Sequence, residues 1–586
     1  MTACPVRPRT ALEGEADPMS EDHRVPAQPP PERPGAGAEH DWWQTGVVYE
    51  IYPRSFADSN GDGIGDLAGI TAHLDHLAGQ PDSLGVDAVW LSPFYPSPDH
   101  DFGYDVADYL GVNPKYGSLA DFERLVEGCH RRGMKVVIDL VLNHSSSEHP
   151  WFQASRTSRS DPYADWYIWR DSPGRSVTGR RRSPNNWRSW FGGSAWTWDE
   201  VRGQFYYHTF LPQQPDLNWR NPAVREALLN VVETWLDRGV DGFRMDVFNV
   251  FFKDAQLRSN PRRVGGRGAW SWQRHLHDRN QPELHDLLSQ LRSIVDTRPG
   301  RMTVGELFDG MLADAAQLIA PRHLVFDFSL IGVPWSAAAF TRTLAARDAV
   351  FGTERWPANV LSNHDQPRHA SRFAPPGDGA AGSTEGDARA KVAAVLLLTM
   401  RGTPFLYYGE EIALRNLSIP KAQAFDPPAR RANFLFRWWN RDQARGPMPW
   451  RAGPGAGFSA GRPWLPLPSE AATRNVERQA ADPDSVLNTY RRLLALRSAT
   501  PALQVGSQHL VATSDADVLG YVRRAGDDAA LVLLNFARRP ASIALPKDGS
   551  REPWRAAFST RDRAPGDMLG DEVALAPLEG LVATRA

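Results

Sequence analysis

At 586 residues the chain is too long for one ordinary compact core, so a large barrel or sandwich with additions is expected. A net charge of −3 offers nothing to a polyanion or a membrane surface, and no nucleic acid is expected as a partner. Two cysteines, Cys4 and Cys129, argue against a disulfide framework, while 21 tryptophans supply flat apolar faces of the kind that hold sugar rings.

Residues 1–40 are rich in Pro, Gly, Ala, Glu and Arg and read as a disordered tail, with Met19 a second candidate start. They contain no apolar run long enough for a signal peptide or a membrane span, which places the protein in the cytoplasm by expectation. Order begins at Asp41-Trp42-Trp43. Short apolar runs then recur at Val47–Tyr52, Ala88–Phe94, Lys135–Leu142, Gly242–Val247, Met302–Phe308, Leu324–Leu330, Asn359–Asn363 and Pro404–Tyr408. Helix-like stretches such as Leu119–Arg132, Pro222–Arg238, Pro282–Asp296 and Arg389–Met400 lie between most of them. Continuous apolar strands alternating with helices predict a parallel sheet covered on both faces, here a (β/α)8 TIM barrel spanning 41–143 and 213–500. The Trp- and Ser-rich segment 144–212 is too long for a loop and reads as an inserted domain roofing the site. A second irregular stretch, 414–468, carries Trp438, Trp439, Trp450 and Trp464 and is expected to wall the opposite side. After a last helix at Ser485–Arg497, short strands such as Val518–Arg523 and Ala530–Phe536 predict an antiparallel β domain over 501–586.

The polar residues fall where such a barrel keeps its chemistry, at the C-terminal ends of strands. Strand three ends Asp139-x-x-x-Asn143-His144, strand four Arg244-x-Asp246, strand five Glu306 and strand seven Asn363-His364-Asp365. Residues two apart on a strand share a face, so Arg244 would stand beside Asp246 and hold it ionised, as a nucleophile requires. Glu306, between Gly305 and Leu307-Phe308, sits in the less polar setting that keeps a proton on an acid. Two carboxylates, one attacking and one protonating, are what glycoside hydrolysis needs, and a third, Asp365, remains for sugar hydroxyls. His144 and His364 can donate to hydroxyls that gain charge in the transition state.

A separate signal is Asp58-Ser59-Asn60-Gly61-Asp62-Gly63-Ile64-Gly65-Asp66, with oxygens at alternating positions as in the opening of a calcium loop. The twelfth position is Gly69 rather than a glutamate. A structural calcium ion is therefore expected on Asp58, Asn60, Asp62, the Ile64 carbonyl and Asp66.

Together the four strand-end motifs resemble, in order and over nearly all of the ordered chain, the four signature regions of the α-amylase superfamily, glycoside hydrolase family thirteen. Gln214-Pro215-Asp216-Leu217-Asn218, the early aspartate loop and Arg441-Asp-Gln-Ala-Arg445-Gly-Pro-Met-Pro-Trp450 are similar to its oligo-1,6-glucosidase and α-glucosidase branch. The resemblance implies a retaining mechanism with Asp246 as nucleophile, Glu306 as acid/base and Asp365 as the third, substrate-distorting carboxylate. It implies that Asp101, Tyr104, His144, Phe191, Phe210, Arg244, His364 and Arg441 line the subsite for a non-reducing glucose, with Asp101 and Arg441 closing its floor. The activity implied is exo-acting, on short malto- or isomalto-oligosaccharides. Val247 after the nucleophile resembles enzymes that accept α-1,6 bonds, which are favoured on that ground, whereas Asn249-x-x-x-Lys253-Asp254 and Asn260-Pro261 resemble α-1,4-glucosidases. Gly446 and Pro449 depart from the usual Thr and Gln of the late motif, on the acceptor side. A transglucosylase or isomerase such as a trehalose synthase would use the same residues. A non-catalytic relative, such as the heavy subunit of amino-acid transporters, would lack the full carboxylate set and carry a membrane helix.

Overall fold

A computed structural model describes residues 40–265, 270–308, 314, 318, 323–378, 384–431, 440–545 and 553–585. The expected tail other than His40, Cys4, Trp438 and Trp439 lie outside these residues. Eight parallel strands close into a barrel in chain order. They are β1 (Val48–Ile51), β2 (Ala88–Leu91), β3 (Lys135–Leu140), β4 (Gly242–Met245), β5 (Met302–Gly305), β6 (Leu324–Asp327), β7 (Pro357–Val360) and β8 (Thr403–Tyr407). β8 pairs with β1 to complete the ring, Val48 opposite Phe405.

Alternation along these strands divides two apolar clusters. Val48, Ala88, Trp90, Val137, Met302, Val304, Leu324, Phe326, Ala358, Val360 and Phe405 fill the interior, with Trp43 beneath them. Their neighbours in sequence, among them Tyr49, Val89, Val136, Ile138 and Phe243, pack outward against the helices. The inward parity continues past the apolar layer to Glu50, Asp139, Arg244 and, beyond the strand end, Asp246 and Glu306. Gly242 has a steric reason: a Cβ there would meet Cγ and the carbonyl of Met302 at 2.9 Å on the paired strand.

Helix ends carry ordinary signals. Ser118 and Asp121 form a reciprocal capping box on Leu119–Arg131, and Asn221 with Pro222 opens Pro222–Asp237. The helix between β6 and β7, Ala337–Phe351, was not among the elements read from sequence; its alanine-rich face shows only a weak apolar period.

The insertion after β3 builds a three-stranded antiparallel sheet from Trp169–Arg170, Gln204–Tyr207 and Trp196–Asp199. Its aromatics pack on one another, Trp187 stacked on Trp196 and edge-to-face with Tyr207. Beyond the helices Val486–Ala499 and Pro501–Val505, a five-stranded sheet and a two-stranded one enclose a separate core of Val, Leu, Ala, Ile and Trp side chains. Tyr521 and Arg523 of that sheet dock on Thr399, the hydroxyl and backbone oxygen each accepting at 2.5 Å. In the long loop after β8, the indoles of Trp450 and Trp464 donate to Phe56 O and Ser55 Oγ, so they brace the segment after β1. Cys129 is buried on its helix. No helix among the described residues is long and apolar enough to cross a membrane.

Candidate active site

Arg244 is the hub of the barrel mouth. Its Nη1 donates to Asp246 Oδ1 at 2.8 Å and to Asp139, and its Nη2 donates to Glu306. The guanidinium is almost fully buried, over the ring of Trp90 and close to that of Tyr104. The sequence suggested a private pair of Arg244 and Asp246; the structure shows one cation shared among three carboxylates. The consequence is electrostatic. Burial raises the pKa of Asp246 well above the carboxylate range, and Glu306, Asp139 and Asp365 reinforce that, with Arg244 opposing. Burial first, then Asp365 and Asp139, push Glu306 up to about 7. Asp246 and Glu306, joined through Arg244, titrate as a pair that retains a proton near neutrality. Asp139 is likewise raised by burial, to about 6.

Asp365 has the opposite setting. Its Oδ1 takes Arg445 Nη2 at 2.7 Å and Arg441 Nη1 at 3.4 Å. Despite burial, Arg441 and Arg445 hold its carboxyl well below the usual range. The site thus contains one carboxylate kept ionised and a coupled pair sharing a proton, two functions separated by environment.

The remaining predicted residues converge on the same mouth. His364 Nε2 lies 2.7 Å from Tyr104 OH and its Nδ1 2.5 Å from Glu50 Oε1, with its ring stacked between Tyr52 and Tyr104. Burial lowers it to about 3, so the ring is neutral. His144, lowered by burial to about 4, meets Tyr104 O at 2.9 Å through Nε2. Asp101 and Arg441 meet at 2.5 Å, and Arg441 spans to Asp426 at 2.8 Å while lying over the Phe191 ring. Phe210 packs 5.2 Å from the His144 ring and belongs with Val247, Val250, Trp270 and Phe308 to an aromatic wall, joined by Trp190 and Phe191.

Val247 has φ +36° and ψ +37°, a left-handed backbone that a β-branched residue adopts only under constraint. It turns the chain sharply after Asp246 into the short helix Phe248–Val250.

Sequence reasoning missed Glu50, Arg445, Asp426 and Gln214. A glutamate inside the otherwise apolar run Val48–Ile51 was a readable signal for Glu50, and Arg445 stood in a motif already quoted. Asp426 gave none, because its role rests on a loop meeting Arg441. Gln214, which donates to Asp101 Oδ2 at 3.2 Å, was quoted without a role. Of the two departures, Gly446 has a cause: a Cβ would meet Leu417 Cγ at 2.9 Å.

In the aspartate loop, Asp58 Oδ1 accepts from the amides of Asn60 and Gly61, Asn60 Oδ1 from Asp62, and Asp62 Oδ1 from Ile64. Asp66 caps the helix Leu67–Ala72 through Gly69 N at 2.6 Å and takes both donors of Ser59. Among the described residues no three His, Cys, Asp or Glu side chains gather as a metal cluster. The donors of this loop, three carboxylates, an amide oxygen and a carbonyl, are the hard oxygen set that calcium takes, although Asp58 and Asp66 have both oxygens engaged in two hydrogen bonds each, which an ion would have to displace or share.

Comparison with known proteins agrees with this architecture. The alpha amylase catalytic domain matches residues 50–506. A probable alpha-glucosidase of Rhizobium meliloti is 43% identical over 530 residues, 87% of this chain and 92% of that protein. An oligo-1,6-glucosidase of Parageobacillus thermoglucosidasius is 38% identical over 93% of this chain and 99% of its own length. Among solved structures, an alpha-glucosyl transfer enzyme, XgtA, superposes with a TM-score of 0.83 at 41% identity, covering 94% of this chain and all of the other. With that match spanning the barrel strands, the insertion and the carboxylates at its mouth, the chain belongs to the alpha-amylase family.

Proposed function

We propose that the protein is an exo-acting retaining α-glucosidase that removes the non-reducing glucose of short malto- or isomalto-oligosaccharides. The observation that carries this reading is the single guanidinium of Arg244 touching both Asp246 and Glu306. Such closeness favours retention, in which the carboxyls stand about 5–5.5 Å apart, over inversion, which needs room for a water and about 6.5–9.5 Å. The ion pairs of Arg441 with Asp101, Asp426 and Asp365 support a closed floor, hence a terminal sugar rather than an internal one.

In the proposed reaction Asp246 attacks the anomeric carbon as Glu306 gives its proton to the departing glycosidic oxygen, leaving a glucosyl ester on Asp246 and Glu306 as carboxylate. Glu306 then takes a proton from water, whose oxygen attacks the same carbon, and the Asp246 carboxylate departs. Attack by Asp246 requires it deprotonated, so in the productive complex the shared proton stands on Glu306. Asp365, held ionised, accepts from sugar hydroxyls, and neutral His144 and His364 meet others. Tyr104, Phe191 and Phe210 supply faces for the ring. Val247 supports α-1,6 over α-1,4 linkages. We also propose a structural calcium ion on Asp58, Asn60, Asp62, the Ile64 carbonyl and Asp66, and a cytoplasmic location. Glucose release from isomaltose and maltose, measured side by side with Asp246→Asn as blank, tests the reading; release unchanged in that variant overturns it.

A second reading, transfer of the glucosyl group to a sugar hydroxyl, is favoured by the aromatic wall of Trp190, Trp270 and Phe308 beside Val247 and by the likeness to an alpha-glucosyl transfer enzyme. Isomerised disaccharide with little free glucose, from sucrose, maltose and isomaltose, would select it.

A further inference from the structure

Lys253 stands outside the pocket just described, yet its ammonium is almost wholly buried and fully engaged. Its Nζ meets Asp216 Oδ2 at 2.5 Å, Asn143 Oδ1 at 2.9 Å and the carbonyl of Val250. Three separate pieces of chain are thereby tied together: the end of β3, the return of the insertion, and the turn that follows Asp246.

An ammonium has only protons to offer, so the atom of Asn143 that faces it must be the amide oxygen. The amide nitrogen is then turned the other way, where it donates to Asp216 Oδ2 at 2.9 Å and lies 3.2 Å from His144 Nδ1. A nitrogen receiving that donor carries the lone pair, which puts the ring proton of neutral His144 on Nε2. The far side of the ring agrees independently: Nε2 lies 2.9 Å from the Tyr104 carbonyl, which can only accept. The 3.2 Å approach of Gln214 Nε2 to the same ring nitrogen is then a contact between two donors, and Gln214 uses its protons on Asp101 and Tyr104 O.

We propose that Lys253 is a positioning residue which, by fixing the orientation of the Asn143 amide, selects the Nε2–H tautomer of His144 and so presents a donor, not an acceptor, at the sugar subsite. This rests on the glucosidase reading of that subsite. On binding, the Nε2–H exchanges the Tyr104 carbonyl for a substrate hydroxyl. Without the ammonium only Asp216 Oδ2 still orients the amide, and each half-turn of it would demand a proton on Nδ1 and leave Nε2 facing a carbonyl as an acceptor.

The test is Lys253→Met, with Lys253→Arg as the conservative control and Asn143→Asp, whose side chain can only accept, as a second route to the same tautomer change. Nitrogen NMR of histidine-labelled protein, with His144→Ala identifying the resonance, reads the tautomer directly. Expected are Nε2–H in the wild type and in Lys253→Arg, and Nδ1–H or a mixture in Lys253→Met and Asn143→Asp. The kcat/KM of Lys253→Met should fall by about 10-fold or more. The double variant His144→Ala/Lys253→Met should be no slower than His144→Ala alone, since both act through one ring. An unchanged His144 signal in both folded variants, or losses that multiply in the double variant, would overturn the proposal. Loss of tautomer control in Asn143→Asp with no glucosidase activity in the wild type would instead leave the positioning intact and sink the subsite reading.

Discussion

Arg441 Nη2 reaches Asp101 Oδ1 at 2.5 Å across 340 residues of sequence, while the same guanidinium holds Asp426 and Asp365. One side chain therefore joins the loop after β2, the loop after β7 and the long segment after β8. Arg441→Ala would leave Asp101 and Asp426 buried without their cation, a loss of about 3–5 kcal/mol for a broken buried pair. The expected result is a lower Tm together with a large rise in KM. Arg441→Lys should recover part of the stability and little of the affinity, because an ammonium cannot reproduce the guanidinium's fork of donors to three carboxylates. Thermal melts and isomaltose kinetics on the two variants check this.

The basic limb of the rate should fall as pH rises through about 7, where Glu306 loses its proton. Stability carries the same signature with a definite sign. The folded pKa lies above the unfolded value, so the folded state binds more protons between about pH 4.5 and 7, and stability falls as pH rises across that window. Glu306→Gln removes the cost. It should therefore be inactive yet more stable than the wild type at pH 8, with the advantage vanishing at pH 4, by denaturant melts at the two values.

Calcium should raise Tm without entering the chemistry. At a hundredfold excess over its Kd one bound ion adds about 2.7 kcal/mol. Chelation should lower Tm of the wild type and leave Asp58→Ala unaffected, as read by calorimetry; an equal response in both would dismiss the ion.

Val247→Ala should shift the ratio of kcat/KM on isomaltose to that on maltose toward maltose, by about 10-fold on the scale of a few methyl contacts. The backbone at φ +36° remains unfavourable for alanine, so stability should change little. Parallel assays of the two disaccharides decide it, and an unmoved ratio would assign linkage to the aromatic wall instead.

Much of the barrel could be read from sequence because buried parallel strands are continuous apolar runs with chemistry at their C-terminal ends. Seven of the eight runs contain most of a strand, while Asn359–Asn363 takes in only the second half of β7, and the excess lies in the polar ends that form the mouth. What could not be read was sharing. Arg244-x-Asp246 suggests a pair, but Asp139 and Glu306 join that cation only because β3 and β5 flank β4, a fact of topology rather than of spacing. Asp426 was missed for the same reason, since it acts through Arg441 on another loop, whereas Glu50 carried a readable signal as the one charge in an apolar strand. Ala337–Phe351 escaped because alanine packs against a barrel without marking a clear face.

The aspartate loop near the start is stitched to the far end of the barrel. Asp58 Oδ2 accepts from Ser459 Oγ at 2.5 Å, Asp58 N donates to Phe458 O, and a Cβ on Gly63 would strike Arg462 O at 1.9 Å. During synthesis, then, a ribosome must complete some four-fifths of the protein before its first loop can seat. A nascent chain stopped between Asp426 and Arg441 would hold every carboxylate of the candidate site and still lack both the clamp on its opening loop and the arginine that pairs with Asp101. Catalytic competence would come late and all at once, which spares the cell a half-built enzyme.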